Sequence, residues 1–171
     1  MKLHVFILAM TLTFLSTTLG IGCSCECDGD CSFNIISNDA KFVALVKVVS
    51  YDNYLGDEII GHDGDMPYSM TVEIIKKYKG EESRVTIKIW GDNGAECRPY
   101  ISNFKIGEYY LIAPYQLGQY KLDGEQPTDY SFFICNTDFL KVNLKDQKAL
   151  GEFTKTKSEI GLKEFEGQLK K

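Results

Sequence analysis

The stretch GIGCSCECDGDC, residues 20–31, holds four of the chain's six cysteines. Cysteines at this density form either disulfides or a metal site made of thiolates, and the redox compartment of the protein decides between the two. In an exported protein, an even number of cysteines indicates disulfides. In a reducing compartment, the same C-x-C-x-C-x3-C spacing is typical of a thiolate site for zinc or copper(I). The residues before the stretch therefore determine how it is interpreted.

An apolar leader, MKLHVFILAMTLTFLSTTLGIG (residues 1–22), precedes the first cysteine. It has one lysine near its start, a short apolar run, and glycines at positions −3 and −1 relative to a cut before Cys23. This layout is typical of a secretory signal peptide, and the run is too short to span a bilayer core of about 30 Å. We therefore expect a secreted, extracellular protein that begins at Cys23 and contains disulfides, although spacing alone leaves their pairing open.

Several segments after the cysteines have the alternation or the β-branched composition of strands. Five or six strands separated by turns predict a mainly antiparallel barrel or sandwich. In one segment the strict alternation places Val85, Ile87 and Ile89 on the buried face. The predicted strands are FVALVKVVS (42–50), MTVEIIKKYKG (70–80), VTIKIWG (85–91), EYYLIAPY (108–115) and one or two within 119–142.

The remaining segments divide the chain further. Residues 51–69 are rich in Gly, Asp and Asn and predict a long exposed loop or hairpin. Residues 146–171 are charged, with loosely spaced apolar residues that favour an amphipathic helix, although Gly151 and Gly161 weaken it. We therefore expect one domain over 23–145 and a C-terminal helical segment over 146–171 that packs on this domain or trails from it.

Composition argues against several functional classes. The net charge is −5 and no basic stripe is present, which argues against nucleic acid as a partner. No segment after the leader is apolar for long enough to span a membrane. Outside the leader the only histidine is His62, in an acidic loop, where it lacks the packing and partners of a catalytic base. We therefore expect no catalytic residues, no cofactor of the protein's own, and no enzyme activity.

With these strands in place, the sequence resembles the tissue inhibitor of metalloproteinases family in its N-terminal, netrin-like domain. The motif Cys-Ser-Cys at 23–25 is similar to the mature start of the family. TVEIIKKYKG resembles its second strand, and GAEC, which ends at Cys97, lies where the family has a connector cysteine. EYYLIA and FFICNTDFL, which contains Cys135, resemble its fourth and fifth strands.

The resemblance implies a fold and a set of disulfides. The fold is a five-stranded antiparallel OB-fold barrel with flanking helices. The implied pairs are Cys23–Cys97 and Cys25–Cys135, which leave Cys27 and Cys31 to bond with each other. Both long-range bonds would hold the N-terminal segment against the barrel.

The resemblance also implies a function, the inhibition of secreted zinc metalloproteases. In the family, the amine and carbonyl oxygen of the first cysteine chelate the catalytic zinc of the protease, which here assigns that role to Cys23. Ser24 would enter the specificity pocket of the protease, with Glu26, Ala95 and Glu96 in the adjoining contact. This chain departs from the family by having an acidic residue at 26, where small or apolar residues and proline are usual, and by lacking a second cysteine-rich subdomain.

Three other interpretations remain open at this point. The first is that the domain is a non-inhibitory extracellular interaction module instead of an inhibitor, since netrin-like domains also occur in binding roles. LGIGC (19–23) loosely resembles a bacterial lipobox, and lipidation of Cys23 would anchor the protein at the cell surface and block chelation. A reduced N-terminal segment would instead carry metal on its thiolates.

Overall fold

The computed structural model describes residues 23, 25, 29–56 and 65–169. The predicted signal peptide, the residues Ser24, Glu26 and Cys27, and His62 lie outside the described residues. Two α-helices, two short 3₁₀ helices and eleven strands form the regular structure of the described residues. The α-helices are α1 (Phe33–Asp39) and α2 (Leu162–Gln168), and the strands are β1 (Val43–Tyr51), β2 (Tyr54–Leu55), β3 (Met66–Pro67), β4 (Ser69–Lys79), β5 (Thr86–Trp90), β6 (Tyr109–Ile112), β7 (Tyr115–Gln116), β8 (Tyr130–Ser131), β9 (Phe139–Asn143), β10 (Lys148–Thr154) and β11 (Lys157–Gly161).

Nine of the strands form one sheet in the order β11-β10-β9-β6-β1-β4-β5-β8-β7, and β2 pairs with β3 in a separate hairpin. All neighbours in the large sheet are antiparallel except β5 and β8, which run parallel. The prediction of a mainly β protein is therefore confirmed. No pairing among the described strands joins the two ends of this order, so the sheet is not a closed five-stranded barrel by its hydrogen bonds.

The central strand β1 is buried on both faces, which explains the nearly continuous apolar run in its sequence. Val43 and Leu45 belong to a core cluster that includes Phe33 of α1 and Phe165 of α2. The alternate residues of β1 face a second cluster, formed by side chains of β4, β5, β6 and β8 and the aromatic rings around Phe104. The two helices therefore cover one side of the sheet, and the aromatic cluster fills the other.

One of the core positions predicted for the segment 85–91 is wrong. Ile87 and Ile89 are buried as expected, but Val85 is 70% exposed. The strand begins at Thr86, so Val85 lies before it, although its carbonyl still accepts a hydrogen bond from the Ile74 backbone N–H at 2.8 Å. Alternation therefore assigns a face only within the paired part of the segment.

The C-terminal segment differs most from the prediction. Residues 148–161 form the β10–β11 hairpin, and only Leu162–Gln168 is helical. Three apolar residues of the hairpin, Ala149, Phe153 and Ile160, are buried in the cluster beneath the helices, whereas Leu150 is 40% exposed. Gly151 has φ +134 and lies so close to β9 that a Cβ there would be 2.7 Å from Leu140 Cδ2. The absence of a side chain at Gly151 therefore allows the paired strands β9 and β10 to approach closely, and the glycine does not weaken a helix.

Candidate functional site

Two disulfides attach the N-terminal segment to the rest of the domain. Cys23 is bonded to Cys97, with the Cα atoms 5.6 Å apart, and Cys25 to Cys135, with the Cα atoms 5.1 Å apart. These are the pairings that the family resemblance implies. The bonds join residues 74 and 110 positions apart. Loops of this length correspond to a chain-entropy stabilisation of about 4–5 kcal/mol each.

The other described cysteine, Cys31, is also disulfide-bonded, and its predicted partner Cys27 lies outside the described residues. The carbonyl of Cys31 accepts a hydrogen bond from the Thr137 backbone N–H at 2.9 Å. None of the cysteines that the structure describes is free, and no cluster of metal-ligating side chains occurs in the same part of the chain. The interpretation as a metal-carrying thiolate cluster is therefore wrong for the described cysteines.

The loop that carries Cys97 is organised by one carboxylate, that of the buried Asp92. Asp92 Oδ1 accepts hydrogen bonds from the backbone N–H groups of Gly94 and Glu96, the latter at 3.3 Å. Asp92 Oδ2 accepts another from the N–H of Arg98 at 3.2 Å. One side chain therefore fixes three backbone groups of a seven-residue loop, as Asp commonly does in turns.

The two cysteine-bearing loops are also joined by a backbone hydrogen bond. The carbonyl of Cys97 accepts from the N–H of Ile134 at 2.9 Å, and Cys97 itself has φ +55. Ile134 directly precedes Cys135, so the two disulfides lie side by side at one end of the sheet. The Asp138 carboxylate accepts a hydrogen bond from the Phe133 backbone N–H at 2.6 Å. This bond stabilises the conformation of the loop that carries Cys135.

A buried ion pair adjoins the loop that carries Cys97. The guanidinium of Arg98 contacts the carboxylate of Glu125, and their side chains are 3% and 0% exposed. Glu125 Oε2 also accepts from the Leu122 N–H at 2.8 Å. Tyr68 lies 3.5 Å from the same carboxylate, and burial, together with the negative charge of Glu125, raises the pKa of Tyr68 to about 12.

The outer surface of this end is accessible. Cys23, Cys25 and Ala95 are exposed, and Glu96 is partly exposed. The structure therefore brings together all the predicted contact residues that it describes, while Ser24 and Glu26 lie outside the described residues.

Sequence reasoning missed two apolar side chains on this surface and the residues that support it. Phe133 is 40% exposed and Ile134 is 47% exposed beside the two disulfides. A signal for both was present, because two large apolar residues adjoin a cysteine in a segment without clean alternation. The supporting residues Asp92, Arg98 and Glu125 were also missed.

No protein-family model matches this chain, and a search of curated proteins finds no match. Among the described residues, no helix is long and apolar enough to cross a membrane.

Proposed function

We propose that the protein is a secreted inhibitor of zinc metalloproteases, in which the α-amino group and carbonyl oxygen of Cys23 chelate the catalytic zinc of the target. The observation that carries the proposal is the pair of disulfides that fix Cys23 and Cys25 beside the 92–98 loop. An N-terminal chelator held at two points loses little conformational entropy when it docks. The zinc belongs to the target, so the described chain needs no metal site of its own.

We also propose that the domain has the netrin-like OB fold, a five-stranded barrel. The strand order β9-β6-β1-β4-β5-β8 supports this assignment. β8 and β9 are consecutive in the chain, separated only by the loop of Cys135, and can be taken as two parts of one fifth strand. That strand would pair antiparallel with β6 at one end and parallel with β5 at the other, as the observed pairings do.

The proposed chemistry follows from the coordination of catalytic zinc. Such a zinc keeps one position open for water or substrate. An unprotonated amine can occupy that position, and the usual α-amino pKa of about 8 is low enough for zinc to displace the proton. Cys23 is exposed, as a group that enters a protease cleft must be. Ala95 and Glu96 would contact the cleft beside it, with Ser24 directed to the specificity pocket.

Moving or blocking the amine tests the mechanism. One alanine added before Cys23 displaces the amine by about 3.5 Å, whereas a zinc–nitrogen bond requires about 2.0–2.1 Å. Acetylation removes the lone pair of the amine without displacing it. We expect both changes to abolish inhibition across a panel of zinc metalloproteases, while circular dichroism shows an unchanged fold. The matched control is one alanine added after Lys171, which should leave inhibition intact.

The intact mass of the mature protein must be measured first, because it reports the cleavage site and any acyl group on Cys23. Equal inhibition by the native, extended and acetylated forms would contradict chelation. Absence of inhibition by a native form with a free amine would contradict the proposed function and favour a non-inhibitory interaction module. An acylated Cys23 would favour a surface lipoprotein.

A further inference from the structure

A cavity with a volume of about 930 Å³ lies between the end of α1, the β4–β5 turn and the β6–β7 segment. This volume falls in the range of about 300–1,000 Å³ that is usual for small-molecule sites. Among the described residues, no cysteine lines it. The lining includes none of the predicted protease-contact residues, although Asn136 and Asp138 belong to the loop of Cys135, so the inference does not rest on the proposed inhibition.

The inner wall of the cavity is apolar and aromatic. The rings of Phe42 and Tyr130 are 5.3 Å apart and both side chains are buried. Ala113 and Pro114 form the adjoining wall, and Tyr115 stands partly exposed at the edge. Such a surface favours a ligand with an apolar body, and the faces of aromatic rings attract cations.

Glu82 and Arg84 form an ion pair in the lining of the cavity, so their charges cancel. Arg84 donates from Nε and Nη2 to the two carboxylate oxygens of Glu82, at 2.9 and 2.6 Å. Arg84 Nη2 also donates to the carbonyl of Thr128 at 2.6 Å, and the Tyr130 hydroxyl donates to Glu82 Oε2 at 2.9 Å. Neither Glu82 nor Arg84 therefore supplies net charge to a ligand.

The other charged side chains of the cavity are mostly acidic. Asp39, Glu81 and Asp138 outnumber the single remaining cation, Lys41. Asp39 and Glu81 are exposed, so they lie where they would attract a cation from solvent. The charge balance of the lining therefore favours a positively charged ligand.

Asp138 differs from the others because it is buried, with only 2% of its surface exposed. Its carboxylate accepts hydrogen bonds from the Phe133 N–H and from the Asn136 side chain, but no cationic side chain in the described part of the chain pairs with it. Buried carboxylates are usually paired with a cation. Burial raises the pKa of Asp138 to about 6, which reflects the cost of leaving it unpaired.

We propose that this cavity is a second binding site, specific for a small organic cation, in which an ammonium group pairs with Asp138 and an apolar body lies against Phe42 and Tyr130. Asp138 supplies the missing counter-charge and the aromatic pair supplies the apolar surface. Because the described chain holds no cluster of metal-ligating side chains, the geometry favours an organic cation over a metal ion.

The test is an NMR titration of the mature protein with three compounds that share a phenyl ring. 2-Phenylethylammonium is the probe, 2-phenylethanol its neutral analogue and 3-phenylpropanoate its anionic analogue. We expect the cation to shift the backbone amide signals of Phe42, Tyr115 and Asn136 and to bind about tenfold more tightly than the alcohol. Equal binding of all three compounds, or no shifts with the cation, would overturn the proposal.

The variant Asp138→Asn keeps an acceptor for the Phe133 N–H and removes the charge. We expect it to weaken binding of the cation about tenfold and to leave binding of the alcohol unchanged. Asp123→Asn, at an exposed aspartate outside the cavity, is the matched control and should bind like the native protein.

If Asp138→Asn does not fold, the exposed Glu81→Gln replaces it, with an expected loss of about two- to threefold for the cation alone. If the variant that is tested folds and binds the cation with native affinity, the proposed site is wrong.

Discussion

Arg98 and Glu125 form an ion pair inside the domain, and Arg98 is the residue that follows Cys97 in the chain. The pair therefore connects the disulfide of Cys23 to the segment that carries Glu125, 27 residues further along. Its position indicates that the exposed N-terminal surface rests on a buried polar support. The backbone N–H of the same arginine also donates to Asp92, so side chain and main chain are both fixed.

Removing one charge of this pair should destabilise the protein strongly. Glu125→Gln leaves the Arg98 charge buried without a counter-ion, for which the expected loss of unfolding free energy is about 3–5 kcal/mol. Urea denaturation followed by circular dichroism measures the loss. Glu166→Gln is the matched control, because the Lys76–Glu166 pair is exposed and should contribute only about 0–1 kcal/mol. Similar losses of unfolding free energy for both variants would show that the buried pair contributes no more to stability than the exposed pair.

The central strands could be predicted from the sequence because their composition and alternation are typical of strands. The β-branched apolar run of β1 and the strict alternation in β5 both favour a strand over a helix. The segment 148–161 is ambiguous, since Phe153 and Ile160 are spaced about as well for a helix as for two strands. The close contact between Gly151 and Leu140 is a property of the packed sheet, and no local pattern reports it.

The candidate site was predictable only in part. The two long-range disulfides followed from the resemblance, because six cysteines do not determine their own pairing. Asp92 and the Arg98–Glu125 pair could not be identified, because the sequence does not show which charged side chains are buried or which residues they contact. The cavity around Asp138 combines residues from five separate segments, which no sequence spacing connects.

The two glycines Gly151 and Gly167 should respond in opposite ways to alanine. Gly151 has φ +134 and its new Cβ would be 2.7 Å from Leu140 Cδ2, so Gly151→Ala should lose about 1–3 kcal/mol. Gly167 lies in α2 with no atom within 4 Å of the new Cβ, so Gly167→Ala should gain up to about 1 kcal/mol. Thermal unfolding of both variants measures the difference. A stabilising Gly151→Ala would contradict the close approach of Gly151 to Leu140 in β9.

The stability of the protein should depend on pH through Asp138. Its pKa is raised from 3.8 to about 6 in the folded state, so the folded protein retains a proton that the unfolded chain loses. Unfolding therefore releases a proton between these two values, and the free energy of unfolding falls as pH rises through this window. The ionised side chain costs about 3 kcal/mol above pH 6.

Asp138→Asn should remove this dependence. Relative to the native protein, the variant should gain up to about 3 kcal/mol in unfolding free energy between pH 4 and pH 7. The other charged groups around the cavity are the same in both proteins and cancel in the comparison. Asp123→Asn should differ from the native protein by no more than about 0.5 kcal/mol at either pH. A constant difference between Asp138→Asn and the native protein across the range would show that Asp138 titrates normally.

The carboxylate of Asp92 provides a test of the proposed protease contact that leaves the chelating amine unchanged. Asp92→Ala removes the acceptor of three backbone N–H groups in the loop of Ala95 and Glu96, at a cost of about 1–3 kcal/mol for each buried donor left unsatisfied. The loop then has to be ordered when it binds, so inhibition should weaken about tenfold or more. Asn93→Ala is the matched control, because its side chain accepts only one such bond, from the Ala95 N–H at 3.0 Å.

The inhibition constants should be compared at a temperature where circular dichroism shows each variant fully folded, so that loss of fold and loss of positioning are separated. A folded Asp92→Ala variant should inhibit weakly, and Asn93→Ala should inhibit almost as well as the native protein. If Asp92→Ala inhibits at full strength, the 92–98 loop makes no important contact with the protease. In that case inhibition would rest on the segment at Cys23 alone, since the amine and its two disulfides are the same in every variant.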